Sequence, residues 1–570
     1  MDAALTCLSL FTYWLVLGYA LTSRLLPGRQ AVPGLLLAPA VGLAVTEVTL
    51  FAAMRLGAMP DVVAAPIVLS LFLAACVSLL VSRPPVPVRR FAPFLVVLLA
   101  AYLLDGWPQL QHGYQWLGFA SDDMSNYCML AVGYGDHGTL RTSRDLEELT
   151  AGVDYTQVVR IQLVEMRCRL GAELSLNALG AVTGRQPVEL CMALALAMHL
   201  TLVSATGFLA HRYCRARWVA LGAAAFMAVS APSAFGILDQ MLGQVGGLAL
   251  LCGCVGVLGR PAHRLPAAGL VRRALLGGAL MSGLLLHYPE VLPFLVAALG
   301  GLVGVGVLRG RPERRRTAVI AGAAALGVVL LGAFGVATMH FLVEQIFVAQ
   351  KDNVLHFYHQ VYNTGHGVLL FWGARTRVDT ILADDPAGLW AWTGIGVGAA
   401  ALAAYLGAAV VGSWRRRPAW LALGAMLAAT GLLVYGRSWF GVHKMTMYVQ
   451  PFVAVALVGS VVTARWRAPR AAAAAFLLAV FGVNAVMQYE YLSDSNSEAS
   501  RCQLAGASRS GLTNEFRDVA AAPADRFWVT TENALLSRFL VVPVRGKETV
   551  FTTGRMFSDQ PTQQVFVPLE

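Results

Sequence analysis

The chain has 570 residues, of which 57% are hydrophobic and 13% are charged, and its mean hydropathy is +0.62. A soluble domain carries about 25% charged residues, so this composition excludes a soluble enzyme, a secreted disulfide scaffold and a disordered protein. Long apolar stretches recur along the sequence and predict an all-α polytopic membrane protein. The net charge of +11 comes mainly from arginine, because only three lysines are present.

Fourteen apolar segments predict about 14 transmembrane helices. A break is expected at His287-Tyr288-Pro289-Glu290, because Ala274 to Gly310 is too long for one span and proline disfavours continuation of a helix. In chain order the segments cover 3–22, 31–54, 62–82, 91–104, 188–210, 218–236, 241–259, 273–287, 290–308, 317–340, 388–412, 419–435, 446–463 and 471–489.

The charges between these segments predict how the helices are oriented. Every second connection carries clustered arginines, with Glu313 as the only acid, whereas the intervening short connections hold only three basic residues. By the positive-inside rule, both termini then lie on the extracytoplasmic side. Arginine far outnumbers lysine and alanine is abundant, which suits a GC-rich bacterial genome, so a bacterial plasma (inner) membrane is expected. The resulting domains are N-terminal transmembrane helices (1–104), an outer loop (105–187), a transmembrane bundle (188–490) with an outer loop at 341–387, and a small C-terminal extracytoplasmic α/β or β domain (491–570).

The first outer loop is too long for a simple connection. It contains the run Ser121-Asp122-Asp123-Met124-Ser125-Asn126-Tyr127. Ser121 is typical of a helix N-cap and acids in the first turn suit the helix dipole, so capping preferences favour a plain helix start. The functional alternative is that Asp122 or Asp123 faces a cavity at membrane level and accepts a proton from an attacking hydroxyl.

The turn His287-Tyr288-Pro289-Glu290 is a second candidate site. A glutamate at the depth of the bilayer is costly, and such a residue is a functional hypothesis by default. The alternative is that Glu290 reaches headgroup water and that Pro289 only shapes the bend.

The basic stretch from Arg437 to Lys444, which includes His443, is a third candidate. Its cations lie on the side where few are expected, which favours a phosphate-binding site. Interfacial anchoring by Trp439 and Lys444 is the alternative.

The second outer loop is a fourth candidate, with Lys351, Asp352 and His356. Its histidine spacing does not match a zinc site. We expect either contacts to substrate hydroxyls or phosphates, or a plain amphipathic helix at the interface, which is the simpler interpretation.

Two further acids, Glu47 and Asp239, lie in or at the end of apolar segments, and pairing within the bundle is expected for each. The sequence contains no P-loop, HExxH or Gly-x-Ser-x-Gly motif. Energy for any reaction is therefore expected from a gradient or from an activated substrate in the membrane.

Many helices, a large outer loop with an Asp-Asp pair entering a helix, and a polar C-terminal region together resemble the GT-C superfamily of integral membrane glycosyltransferases. The resemblance covers the architecture of most of the chain and one short motif, Ser121 to Tyr127. It implies a polyprenyl-phosphate-linked sugar donor, an envelope glycan, lipid or protein acceptor, and inverting displacement with Asp122 or Asp123 as general base.

The resemblance also implies roles for residues of the other outer segments. Lys444, Arg437, His443 or Lys351 would stabilise the leaving lipid phosphate. The residues His287, Tyr288 and Glu290 would line the sugar pocket. A divalent cation stays open as a cofactor, and nucleic acid is not an expected partner.

Two other functions fit parts of the sequence. A lipid-linked glycan ligase or polymerase would share the large outer loops. A secondary transporter or flippase of an envelope precursor would suit Glu47 and the broken segment at Pro289, although no inverted repeat is visible in the sequence.

Overall fold

The computed structural model describes residues 2–26, 30–137, 169–347, 368–369, 371–374, 389–414, 418–435, 439–463, 467–496, 512–529, 539–540, 543 and 548–551. These ranges are helical almost throughout. From the N-terminus the helices are α1 (Asp2–Leu25), α2 (Ala31–Arg55), α3 (Pro60–Ser82), α4 (Val88–Asp105), α5 (Trp107–His112), α6 (Asp122–His137), α7 (Gly171–Thr183), α8 (Pro187–Cys214), α9 (Arg217–Ala228), α10 (Ala231–Leu238) and α11 (Leu242–Leu258).

The second half of the chain continues the helical pattern. Its helices are α12 (Ala267–His287), α13 (Leu292–Leu308), α14 (Arg314–Leu331), α15 (Ala333–Phe347), α16 (Leu389–Trp414), α17 (Pro418–Tyr435), α18 (Trp439–Tyr448), α19 (Gln450–Thr463), α20 (Arg467–Asn496) and α21 (Leu512–Ala521). Short 3-10 turns cover Gly113–Gln115 and Pro289–Val291. One parallel pair of strands, β1 (Arg526–Val529) and β2 (Glu548–Phe551), places Arg526 opposite Glu548.

In the part of the chain that the structure describes, seven helices are long and apolar enough to cross a membrane, or ten when each bent pair counts as one span. This confirms a helical multi-pass membrane protein but not the predicted 14 spans. The difference arises partly because some predicted segments break. The segment 218–236 divides into α9 and α10, bent by 47°, and 317–340 divides into α14 and α15, bent by 107°. At the second break Gly332 has a φ of +56°, a left-handed conformation that glycine adopts without steric cost.

Close packing of α1 on α2 depends on small residues. A Cβ atom added to Gly18 of α1 would overlap the carbonyl group of Ala38 in α2, and one added to Gly42 of α2 would overlap the backbone of Trp14 in α1. Such small-residue contacts bring helix backbones together in membranes, where the hydrophobic effect does not drive helices together. Glu47 lies further along α2, and its side chain is fully buried.

Helix α8 forms the centre of the bundle, because its whole apolar window is buried and α1, α2, α9 and α11 pack around it. It begins with Pro187 after a capping box in which Gln186 and Glu189 bond each other's backbone N–H groups. Within the predicted outer loop 105–187, α6 and α7 pack on each other, and both contact α3 and α8. The first acidic motif therefore lies against the bundle.

Candidate functional site

The start of α6 is held in place by a buried glutamine from a neighbouring segment. The Ser121 hydroxyl accepts a hydrogen bond from the Met124 N–H (3.4 Å), as an N-cap residue does. The Ser121 N–H donates to Oε1 of Gln240 (3.0 Å), and Nε2 of Gln240 donates to the Leu117 carbonyl (2.7 Å). Gly118 allows this contact, because a Cβ there would overlap the Gln240 amide. The first turn of α6, which contains Asp123, is thus fixed from both sides.

The Asp123 side chain is exposed, but nearby protein atoms still displace part of the water that would hydrate its carboxylate. Desolvation by these surroundings raises the pKa of the Asp123 carboxyl, and the nearby Glu290 carboxylate raises it further. The charges of Lys444 and Arg169 act in the opposite direction. A carboxylate with these neighbours is suited to accepting a proton, because its pKa is moved toward the working pH. Asp122 is the first residue of α6, and its side chain lies outside the described part of the structure.

An ion pair joins two segments beside Asp123. Nη1 of Arg169 lies 3.3 Å from Oε1 of Glu290, and both side chains are partly exposed. Arg169 has a φ of +62°, which is unusual for a residue with a side chain. Glu290 lies in the 3-10 turn Pro289–Val291 at the predicted break. The predicted turn residue Glu290 is therefore brought to the same place as the predicted base Asp123.

Lys444 reaches this place from α18. Burial lowers the pKa of the Lys444 ammonium, while the charges of Glu290 and Asp123 raise it. The helix is tied to the turn, because the hydroxyls of Tyr448 and Tyr288 are 2.6 Å apart and their rings meet edge to face. Two acidic and two cationic side chains from four separate segments thus form one group. We call this group, Asp123, Glu290, Arg169 and Lys444, the outer charge cluster.

A second group, fully buried, lies behind the outer charge cluster. Nδ1 of His287 is 2.6 Å from Oε1 of Glu47, and the Ser175 hydroxyl donates to the same oxygen at 2.9 Å. Nε2 of His287 faces the Leu242 carbonyl at 3.2 Å. Both ring nitrogens of His287 therefore face acceptor groups, one a carboxylate and the other a backbone carbonyl. The expectation that Glu47 pairs within the bundle is confirmed.

Two glycines on one face of α11 leave room for the side chains of His287 and Tyr288. A Cβ on Gly246 would overlap the His287 ring, and one on Gly247 would lie 2.5 Å from Cβ of Tyr288. His287 and Tyr288 are both buried. Both side chains fill the space between helices, and their predicted role in lining a sugar pocket stays a prediction.

The Glu173 carboxyl is close enough to feel charges from both groups, Arg169 of the outer charge cluster and the buried Glu47 and His287. It lies in the first turn of α7 and is buried. Desolvation raises the pKa of its carboxyl to about 8, and the nearby Glu47 also raises it, while Arg169 and His287 act in the lowering direction. Glu173 is therefore largely protonated at neutral pH. We call Glu47, Glu173, Ser175 and His287 the buried proton cluster.

The side chains of five other predicted site residues lie outside the described part of the structure. Lys351, Asp352, His356 and Arg437 lie outside the described residues, and so does the side chain of His443 on α18. Among the residues that are described, no three His, Cys, Asp or Glu side chains come together as metal ligands would.

Sequence reasoning missed Arg169, Glu173 and Ser175. The signal for Glu173 was present, because it is the only charged residue in the stretch from Leu170 to Gly184. Arg169 immediately precedes that stretch. An isolated charge in an apolar helix indicates a buried partner, although the sequence does not show which partner.

Neither a scan against protein-family models nor a search of curated proteins finds a match to this chain.

Proposed function

We propose that this protein is an integral membrane glycosyltransferase that moves a sugar from a polyprenyl-phosphate donor to an acceptor of the cell envelope. The observation that carries the proposal is the outer charge cluster, in which the exposed carboxylate of Asp123 lies near two cations, Lys444 and Arg169. A base beside fixed positive charge is what sugar transfer from a lipid phosphate requires.

The reaction assigns each member of this cluster a separate task. The acceptor hydroxyl attacks the anomeric carbon, its proton passes to Asp123, and the bond between that carbon and the phosphate oxygen breaks. The leaving lipid phosphate gains negative charge, which Lys444 and Arg169 stabilise. Glu290 keeps Arg169 in place through the 3.3 Å ion pair.

A lipid donor also needs room for its chain. An apolar groove of about 850 Å³ runs between α1, α3 and α7, and Leu69, Phe72 and Leu179 are among its walls. Only a small share of the apolar window of α3 is covered by protein, so the groove lies beside a helix face left for lipid. We assign the groove to the donor's hydrocarbon chain, since most of its wall surface is apolar and none of its lining residues is charged.

The topology belongs to the same proposal. We place the chain in a bacterial plasma membrane with up to 14 spans, with the outer charge cluster and both termini on the extracytoplasmic side. Residues 491–570 then form an extracytoplasmic region that includes α21 and the paired strands.

The test uses purified protein in nanodiscs with a panel of polyprenyl-phosphate sugars, and it measures release of free polyprenyl phosphate. We expect release by the wild type and a loss of more than 100-fold for Asp123→Asn, in line with the usual contribution of a general base. Asp122→Asn is measured in parallel. Asp525→Asn is the matched control, because Asp525 is an exposed aspartate outside both clusters. Release by Asp123→Asn at the wild-type rate would remove Asp123 from the base role.

A proton-driven transporter or flippase of an envelope precursor is the second candidate. The buried proton cluster favours it, because ionisable groups inside a membrane bundle often mark proton pathways. The two candidates differ in their response to a protonophore, which stops gradient-driven flux across a sealed membrane and leaves transfer by the purified enzyme unchanged.

A further inference from the structure

At another place in the bundle, the ends of several helices form a pocket that is lined with arginines. Its volume is about 160 Å³, smaller than the ~300 Å³ at which pockets for drug-sized ligands begin. The walls come from the end of α8, the α11–α12 and α13–α14 connections, α13, α14 and the start of α17. Six arginines line it: Arg212, Arg215, Arg260, Arg309, Arg311 and Arg316.

Some of these guanidinium groups serve the helix ends themselves. Nε of Arg212 donates to the Gly256 carbonyl at 3.4 Å, and Nη1 of Arg316 donates to the Gly259 carbonyl at 3.3 Å. Both carbonyls lie at the C-terminal end of α11, where cations complement the helix dipole. This structural role accounts for two arginines out of the six.

Among the described residues that line the pocket, six are arginines and none is an acid. Glu313 pairs with Arg316 at 2.5 Å, and Glu313 is the only acid in all the arginine-rich connections of the sequence. Burial and the charge of Arg215 lower the pKa of the Arg260 guanidinium. The arginines around this small cavity repel one another, and a bound anion would reduce that repulsion.

We propose that this pocket binds a phosphate group, carried either by an anionic lipid headgroup or by a soluble phosphate. Guanidinium groups recognise phosphate through paired, charge-assisted hydrogen bonds. Basic pockets between membrane helices bind anionic headgroups in the same way. The site is separate from the outer charge cluster and does not depend on the proposed transferase activity.

The variant that tests the pocket is the double change Arg215→Gln and Arg311→Gln. Both side chains are exposed at its rim. The matched control is Arg89→Gln with Arg90→Gln, which removes two exposed arginines from a connection that the topology predicts on the same membrane side. Both pairs change the net charge equally.

Full-length protein in nanodiscs of pure phosphatidylcholine is titrated with dihexanoyl-phosphatidylglycerol, with inorganic phosphate, and with dihexanoyl-phosphatidylcholine as the neutral comparison. We expect one of the two anions to bind the wild type. Since a basic residue near an anionic surface is worth about fivefold in affinity, the pocket variant should bind roughly 25-fold more weakly and the control within about twofold of wild type. The anion that binds identifies the source of the phosphate.

The melting temperature without ligand shows whether the pocket variant is folded. We expect it to be no lower than that of the wild type, because removing two like charges relieves repulsion. Equal loss of affinity in both double variants, or no binding of either anion to the wild type, would overturn the proposal.

Discussion

The contact between Glu47 and His287 gives the sharpest prediction for stability. In Glu47→Leu, the His287 Nδ1–H and the Ser175 hydroxyl both lose their acceptor, at 2.6 and 2.9 Å in the native protein. Each buried donor left without a partner costs about 1–3 kcal/mol. Two such donors give about 2–6 kcal/mol, in agreement with the ~3–5 kcal/mol expected when one partner of a buried ion pair is removed. The melting temperature in detergent should fall clearly.

A double variant distinguishes pairing from simple loss of packing. Glu47→Leu combined with His287→Leu removes donor and acceptor together, and such apolar replacements are often close to neutral. We expect the double variant to melt higher than Glu47→Leu alone. Glu490→Leu, at an exposed position on α20, is the control for the added leucine. A wild-type melting temperature for Glu47→Leu, or a double variant that loses the sum of the two single effects, would refute the reasoning.

Three further predictions concern the pH dependence and the packing around the clusters. The acid limb of kcat/KM against pH should lie above the ordinary aspartate pKa of 3.8, because Asp123 must be deprotonated to act as a base and its pKa is raised; a limb at or below that value would contradict this environment. Between about pH 4.5 and 8 the folded protein holds a proton on Glu173 that the unfolded chain releases. The free energy of unfolding should therefore fall as pH rises through this window. Glu173→Gln should flatten the dependence of melting temperature on pH. Gly246→Ala should lower the melting temperature because its methyl group overlaps the His287 ring, whereas Gly300→Ala, with open space around it, should not.

Hydrophobic patterning predicted the helical elements well. The segment 31–54 corresponds to Ala31–Arg55, and the expected break falls at the end of Ala267–His287. These features follow from local sequence, since a membrane helix must be apolar and proline interrupts it. The bends of 47° and 107° were not predicted, because they depend on how each half-helix packs against its neighbours.

The site was only partly predictable for a related reason. Glu290 was singled out because a glutamate at the depth of the bilayer is costly. Asp123 was singled out by an acidic pair in a long outer loop, and Lys444 by a cation on the side where few are expected. Their partners were not all identified, because pairing is a property of the folded bundle: Glu47 and His287 are 240 positions apart. The sequence therefore indicates that a buried acid needs a partner, and only the fold shows that the partner is a histidine whose other nitrogen is also engaged.

Environment separates the four acids of the two clusters into two kinds. Asp123 and Glu290 lie near cations and keep solvent access, whereas the side chains of Glu47 and Glu173 are buried away from water. Carboxyl groups in such different surroundings take different roles. If the proposed transferase function holds, changes at Lys444 or Asp123 should alter turnover with little change in melting temperature, because the proposal assigns both side chains to the reaction and both keep some solvent exposure. Changes at Glu47 should alter the melting temperature first, and any loss of turnover there should follow the loss of folded protein. A variant of Glu47 that stays fully folded and loses turnover or proton-driven flux would instead assign the buried proton cluster a direct part in function.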